Sequence, residues 1–206
     1  MYPKETRYNG EIFRTDLEAR WAVFFDSLGI EYEYRPEGIP LSGGAVYHPD
    51  FFLPCFNCYF AVRDFMDILT PRGKEAERLI RAGHDSGDWA GIIAFGGPWD
   101  QNLHIYCQET DDGGGGSYDA RVAFARHPDS KRPCLFAFED WRKRSFFDSF
   151  GEDMEIIPLF TTECGVNKYD DFVTAGVRRA AEHARAVCFE HGQAIIPPLV
   201  GGRRYR

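Results

Sequence analysis

Two acidic residues of this sequence stand in apolar surroundings, where a carboxylate needs a partner. Glu18 belongs to a helical stripe that includes Leu17 and Trp21, and Asp50 lies among the aromatic residues of "YHPDFFLP". Acids in such places are usually paired with a cation, bound to a metal ion or exposed at an edge. These two residues are therefore the first candidates for chemistry.

Each acid also has a structural interpretation. Glu18 follows Thr15 by three residues, which is the spacing of a capping box at the start of a helix. Asp50 can occupy a turn or a strand edge, although Pro49 and Phe51, which flank it, count against that interpretation. The sequence leaves both interpretations open.

The segment "CYFAVRDF" is predicted to be the next strand, and its inward positions should carry the partners of Asp50. Alternate residues of a strand share a face, so Ala61 and Arg63 lie on one side and Asp64 points to the other. Ala61 has no atom that can bind a metal ion. The site therefore has no carboxylate at position 61, where the second strand should supply one.

The elements that must position these residues form an α/β pattern over the first hundred residues. Apolar residues at helical spacing, followed by a glycine, predict a helix over 12–29. Period-two alternation and apolar runs predict strands in "IEYEYRP", "AVYHPDFFLP" and "CYFAVRDF", with the last two joined as a hairpin. A second helix begins at Thr70-Pro71 and ends near Gly83, and "WAGIIAFGG" is a short buried strand. We expect a mixed sheet flanked by helices.

The second hundred residues are less regular. The segments "LHIYCQE", "ARVAFARH" and "CLFAFED" are predicted strands, and "TDDGGGGSYD" is a loop, because the P-loop pattern is absent. A length of 206 residues fits one domain. We divide 1–206 into a core at 1–98, an irregular insertion or extension at 99–167, a closing helix at 168–192 and a tail at 193–206.

These segments resemble the PD-(D/E)XK nuclease-like proteins of phages, plasmids and other mobile elements. "FRTDLEARWAVFFDSLGIEYEYRPEGIPL" is similar to the opening helix and strand of that family, and "YHPDFFLP" to its PD motif. "CYFAVRD" matches the segment where the family has an acid, an apolar residue and a lysine. "KEAERLIRAGHDSGDWAGIIAFGGP" and "RAAEHARAVCFEHG" are similar to later elements. The resemblance is weakest over 100–165. It implies a restriction-endonuclease-like core, with extra C-terminal strands and a long C-terminal helix.

The resemblance also implies a role for each site residue. Glu18 and Asp50 stand at the positions of two acids that hold the metal ion, Ala61 at the position of the second strand acid, and Arg63 at that of the lysine. Phosphodiester hydrolysis needs a cation on the phosphate and an activated water, and Mg²⁺ or Mn²⁺ takes carboxylate oxygens. Alanine cannot ligate a metal ion, and arginine stays protonated. Catalysis is therefore expected to be impaired or absent.

Arg63 is predicted to take the place of the metal ion, with its guanidinium bonded bidentately to Asp50 and extended to Glu18. Asp67 and Lys74 lie beyond the strand and are weaker candidates for replacement site residues. A different interpretation is that the alanine is an engineered change, which silences an active enzyme.

Three functions agree with these residues: a metal-dependent DNA nuclease with a weakened site, a nuclease fold that binds nucleic acid without cleaving it, and an interaction protein of a mobile element, such as an inhibitor or complex subunit. We favour a nuclease-fold protein that acts on or near DNA with impaired or absent hydrolysis.

The formal net charge of −8 argues against broad, sequence-independent adhesion to DNA but allows a local basic groove. The candidate nucleic-acid-binding residues are Lys131, Arg132, Arg142, Lys143 and Arg144. Their other interpretation is a solvated charged face. No apolar run reaches the roughly 18 residues of a membrane span, so we expect a cytoplasmic protein.

The six cysteines are dispersed through the chain, and only Cys55 and Cys58 form a CxxC pair. A structural zinc site needs four ligands, commonly two such pairs. We therefore expect buried or loop thiols at these positions.

Overall fold

The computed structural model describes residues 5–41, 44–86, 90–109, 116–126, 132–137, 156–158, 175–190 and 193–195. The helices in these ranges are α1 (Asp16–Leu28), α2 (Pro71–Ser86) and α3 (Ala175–Ala186). The strands are β1 (Thr6–Tyr8), β2 (Glu11–Phe13), β3 (Glu33–Tyr34), β4 (Ile39–Pro40), β5 (Val46–Tyr47), β6 (Phe51–Leu53), β7 (Cys58–Arg63), β8 (Ala90–Phe95), β9 (Leu103–Glu109), β10 (Gly116–Arg126), β11 (Pro133–Ala137), β12 (Ile156–Pro158), β13 (Cys188–Glu190) and β14 (Gln193–Ile195). The predicted α/β class is therefore confirmed. None of the helices in these ranges has the length and apolar character that crossing a membrane requires.

Eight strands form the main sheet, in the order β12-β11-β10-β9-β8-β7-β6-β3. The pairs β7–β8 and β11–β12 are parallel, and the other neighbouring strands are antiparallel. Because β7 and β8 are parallel, the chain must cross over between them, and the crossover contains α2. The predicted hairpin is β6–β7, in which Phe51 pairs with Phe60.

The helix α1 begins and ends at the residues that its caps predict. Thr15 has an extended backbone, and its Oγ1 accepts a hydrogen bond from the N–H of Glu18 at 3.1 Å. Gly29 ends the helix with a φ of 71°, a left-handed conformation that glycine adopts without a Cβ clash. The strand β2 occupies Glu11–Phe13, so the helix begins later than the predicted 12–29.

The buried face of α1 packs aromatic side chains against the main sheet. Trp21 is fully buried, and its ring centroid lies 4.9 Å from that of Phe60 and 5.4 Å from that of Phe24. Its Nε1 donates a hydrogen bond of 3.0 Å to the carbonyl of Gly96, the residue that follows β8. The ring of Phe25 lies 5.3 Å from Phe60. These contacts fix the position of α1 over β7.

A second sheet joins the two ends of the described chain, in the order β13-β14-β1-β2. Next to it, α3 packs against α1. Arg20 of α1 donates through Nη1 to the carbonyls of Ala184 and Arg185, both at 2.8 Å. A cation is favoured there, because the last carbonyls of a helix lack intrahelical partners. The helix α1, which carries Glu18, therefore packs both against the main sheet and against α3.

Several predicted boundaries differ from the structure. "AVYHPDFFLP" forms two strands, β5 and β6, and Pro49 between them cannot donate a ladder hydrogen bond. The prediction of a helix over 168–192 is wrong at residues 188–190, which form β13, and its parts at 168–174 and 191–192 lie outside the described residues. The helix α2 continues past Gly83 to Ser86. Most of the described residues of 99–167 form the strands β9 to β12, which extend the main sheet.

The thiols of the CxxC pair lie in different environments. Cys58 is buried in β7, and its Sγ donates to the carbonyl of Tyr59 at 3.2 Å. Cys55 is exposed as a residue, but partial burial of its thiol group raises the pKa of that thiol to about 11. A thiol with a raised pKa is a poor nucleophile and a poor metal ligand.

Trp21→Ala should lower the free energy of unfolding by about 3–5 kcal/mol, because it leaves a cavity beneath α1 and removes the bond to Gly96. Denaturant unfolding measures the change. The control Met66→Ala alters a side chain that is 70% exposed and should stay within about 0.5 kcal/mol of the parent. A loss below about 1 kcal/mol for Trp21→Ala would contradict its central place in the core.

Candidate active site at the start of α1

The hairpin β6–β7 places Asp50 at the edge of the core. Asp50 directly precedes β6 and is fully buried. Its Oδ2 accepts a hydrogen bond from the N–H of Val62 at 2.7 Å. The pairing of Phe51 with Phe60 puts Asp50 beside Ala61, one step further along the two strands.

The first turn of α1 places Glu18 at the same edge, with 4% of the residue exposed. Its Oε2 accepts from the hydroxyl of Tyr34 at 2.8 Å and from the N–H of Arg14 at 3.0 Å. Half of the predicted capping box is therefore present, since Oγ1 of Thr15 accepts a hydrogen bond from the N–H of Glu18. The other half is different, because the Glu18 carboxylate binds the N–H of Arg14 instead of that of Thr15.

Arg14 connects the two acids and was not predicted as a site residue. Its Nη2 lies 3.2 Å from Oε1 of Glu18 and also donates to Oδ1 of Asp50. The side chain is 46% exposed, so it reaches the acids from the solvent side. The sequence carries one signal for this contact: Arg14 and Glu18 are four residues apart, a spacing typical of ion pairs on helices.

Arg63 binds Asp50 from the opposite side. Its Nη1 donates to Oδ2 of Asp50 at 2.8 Å and to the carbonyl of Val62 at 2.6 Å, and its side chain is 13% exposed. The predicted bond to Asp50 is therefore present, but through one nitrogen. The predicted extension to Glu18 is wrong, because Arg14 occupies that position.

Ala61 lies between these charged groups and a second apolar cluster. It is fully buried and belongs to the cluster that contains Tyr47 and Ile93. The faces of β7 follow the predicted alternation, since Phe60 and Val62 belong to the main core instead. No carboxylate reaches the site from position 61.

The remaining candidates on this side of the fold have other contacts. Asp64 accepts from the N–H of Met66 and caps the short helix Phe65–Leu69. Asp67 lies in that helix and accepts from the hydroxyl of Thr70. Lys74 lies on α2 and lines a separate cleft. None of these three residues forms a hydrogen bond or an ion pair with Glu18 or Asp50.

The two acids do not fit a divalent metal ion in this arrangement. Each of their four carboxylate oxygens already accepts at least one hydrogen bond. Mg²⁺ needs oxygen ligands that are free to coordinate it, and Ala61 supplies none. Within the described ranges, no three His, Cys, Asp or Glu side chains converge to hold a metal ion.

Burial and charge set the protonation of the site. Burial raises the pKa of Glu18, and the negative charge of Asp50 raises it further, against the opposing effects of Arg14 and Tyr34. Burial alone would lower the pKa of Arg14, but the charges of Asp50 and Glu18 outweigh it and raise that pKa. Burial, and then the bond to Glu18, raise the pKa of Tyr34. Arg14 therefore stays charged and Tyr34 stays a donor at neutral pH.

Most of the predicted nucleic-acid-binding cluster lies outside the described residues, namely Lys131, Arg142, Lys143 and Arg144. Arg132 is described and lies exposed directly before β11. The cluster thus stays a prediction.

Glu18 should make the stability of the fold depend on pH. A folded-state pKa above the unfolded one means that the native state binds the Glu18 proton more tightly, so the stabilisation is full at low pH and is lost as pH rises through the folded pKa. The free energy of unfolding of the parent minus that of Glu18→Gln should therefore fall as the pH rises above about 4, the ordinary pKa of a glutamate.

Denaturant unfolding at several pH values measures this difference, and Glu182→Gln, an exposed glutamate of α3, serves as the matched control. If this difference rises with pH instead, the interactions with Arg14 and Tyr34, which lower the pKa of Glu18, outweigh the effect of burial, which raises it.

No family model, no curated protein and no solved structure matches this chain.

Proposed function

We propose that this protein has the PD-(D/E)XK nuclease fold and acts on or near DNA, with impaired or absent metal-dependent phosphodiester hydrolysis. One observation carries the proposal: Glu18 from α1 and Asp50, the residue directly before β6, meet at a single guanidinium nitrogen of Arg14. These are the two acids whose convergence the motif resemblance requires. Segments more than thirty residues apart in the sequence bring them together.

The order of the elements supports the restriction-endonuclease-like fold. The chain runs α1, β3, β6, β7, α2 and β8, and the strands β6, β7 and β8 are neighbours in the main sheet. The aromatic side chains of the first helix pack against the hairpin whose strands correspond to the acid-bearing motifs. The resemblance requires the same order.

The site chemistry supports the loss of hydrolysis. A nuclease of this type needs a cation on the scissile phosphate and a group that orients water. At Ala61 a methyl group stands in place of a carboxylate, and the recorded partners of Glu18 and Asp50 are protein donors. Arg63 donates Nη1 to Asp50 and presents a planar guanidinium in place of an ammonium group, so it cannot reproduce a lysine beside the water. If the protein hydrolyses DNA, its cofactor is Mg²⁺ or Mn²⁺.

A second function is favoured by an exposed apolar patch beside the site. Phe65, Met66 and Leu69 are 57%, 70% and 84% exposed, and this stretch begins two residues after Arg63 in the chain. Clustered exposed apolar side chains often mark surfaces that bind other proteins. The alternative is therefore a non-catalytic interaction protein that uses the nuclease fold as a scaffold.

The double variant Ala61→Glu, Arg63→Lys should gain Mg²⁺- or Mn²⁺-dependent cleavage of DNA that the parent lacks, because it supplies the acid and the lysine of the motif. A plasmid-nicking assay with both metals measures the gain. Asp50→Asn in the double variant should abolish it, and Ala61→Gln, Arg63→Lys is the matched uncharged control. Equal cleavage by the parent and the double variant would contradict the proposed loss of catalysis.

DNA binding should be salt-dependent and should need no metal ion. Arg142→Ala, Lys143→Ala should weaken binding and reduce the slope of log K against log salt by about 2, since each lost phosphate contact removes about one released counterion. Fluorescence anisotropy with a labelled duplex in EDTA measures both effects. Arg178→Ala, Arg179→Ala removes the same charge from the exposed face of α3 as a control. If neither the parent nor the control variant binds DNA, the interaction protein is favoured.

A further inference from the structure

A cleft of about 340 Å³ lies where the parallel strands β7 and β8 end. Asp64 follows β7 directly, and Trp99 lies four residues after the end of β8. In α/β proteins, ligands commonly bind outside the carboxyl ends of parallel strands. The N-terminal half of α1 and the last turn of α3 complete the cleft, whose lining consists of Asp16, Leu17, Arg20, Asp64, Trp99 and Arg185.

The half-buried ring of Trp99 is held in place as one wall of this cleft. It belongs to a turn that two hydrogen bonds between Gly97 and Asp100 close, at 3.0 and 2.9 Å. The ring packs so closely on Gly97 that a Cβ there would overlap it. Arg20, whose Nη1 binds the end of α3, has its guanidinium carbon 5.6 Å from the ring centroid. The aromatic face is therefore in position before a ligand arrives, which lowers the entropic cost of binding.

The cleft also presents charges of both signs. Arg185 is exposed, and its guanidinium carbon lies 5.8 Å from the centroid of the Trp99 ring. Asp16 and Asp64 are exposed carboxylates, and Asp64 caps the short helix through Oδ1. Among the described residues, none of these three charged side chains forms an ion pair. An aromatic ring, a cation and two carboxylates thus line a cleft of the size of small-ligand sites.

A nucleotide matches this lining in each of its parts. Its base can stack on an indole ring, its phosphate pairs with arginine, and the exocyclic amino group of a base donates to a carboxylate. In a duplex, each base is stacked on its neighbours and its amino group is engaged in pairing. Only an unpaired base can therefore make all of these contacts.

We infer that this cleft binds an unpaired nucleobase of a DNA strand, with the base on Trp99, its phosphate at Arg185 and its amino group at the carboxylates of Asp16 and Asp64. The inference deepens the proposed function, on which it rests for DNA as the ligand. Leu17 precedes Glu18 in the chain, so the bound nucleotide would lie next to the candidate active site. The substrate class is then single-stranded or frayed DNA.

The test is the binding of a fluorescein-labelled deoxycytidine octamer in EDTA, measured by anisotropy. Trp99→Ala should bind it at least about fivefold more weakly, because the stacking face is lost, and Trp99→Phe should stay within about threefold of the parent. Arg185→Ala should weaken binding and reduce the slope of log K against log salt by about 0.7, the value for one phosphate of a single strand. Arg179→Ala, an exposed arginine of the same helix, should match the parent.

A thymidine octamer tests the two carboxylates. Thymine has a carbonyl oxygen where cytosine has an amino group, so the parent should bind the deoxycytidine octamer more tightly. Asp16→Asn should reduce this preference, because an amide can also donate to the thymine oxygen. Equal affinity of the parent for both octamers would contradict the role of Asp16 and Asp64.

The inference is overturned if Trp99→Ala and Arg185→Ala both bind the deoxycytidine octamer as tightly as the parent. Arg185 and Asp16 are exposed, so their variants decide the question if Trp99→Ala folds poorly. Free deoxycytidine monophosphate that competes as strongly as the octamer would overturn the assignment to a DNA strand.

A labelled duplex, titrated under the same conditions, separates this inference from the proposed function. If the parent binds the octamer through Trp99 but shows neither duplex binding nor cleavage in the double variant, the cleft is confirmed and the proposed nuclease-type function fails. If the duplex is bound and Trp99→Ala changes no affinity, the proposed function stands and the cleft is overturned.

Discussion

Two carboxylates buried side by side are the constraint on which this part of the structure depends. Glu18 and Asp50 are 4% and 0% exposed. Unpaired negative charges at such depth cost several kcal/mol each, so the fold must supply positive charge and hydrogen-bond donors. It supplies them from two directions: Arg14 from the strand-to-helix junction, and Arg63 from the end of β7. Main-chain N–H groups complete the arrangement.

The core explains how such a site holds its shape. Trp21 and Phe25 anchor α1 to the strand that carries Ala61 and Arg63, and the Trp21 bond to Gly96 ties the helix to the end of β8. These contacts lie within the main core, where close packing resists small shifts. The position of Glu18 relative to Asp50 is therefore set mainly by aromatic packing, and the ion pairs act on a geometry already formed.

The sequence predicted the parts of this site that depend on local patterns. Thr15 and Gly29 mark the ends of α1 through cap chemistry, and alternation in β7 correctly separates Ala61 from Val62. Arg14 was missed because no periodicity shows that a residue before a helix cap will fold back over a strand acid thirty-six positions away. The division of "AVYHPDFFLP" into β5 and β6 was also not predicted, because its apolar residues indicated one continuous strand and Pro49 interrupts it.

The place of Arg14 in the chain has a consequence for cooperativity. The residue directly precedes the cap of α1, its N–H binds the carboxylate of Glu18, and its side chain neutralises that same carboxylate. Fraying of the first turn would therefore remove the acid, its counter-charge and the helix cap in one event. The site should assemble and melt as a single unit with the start of α1, with no half-formed state in which one buried acid is left bare.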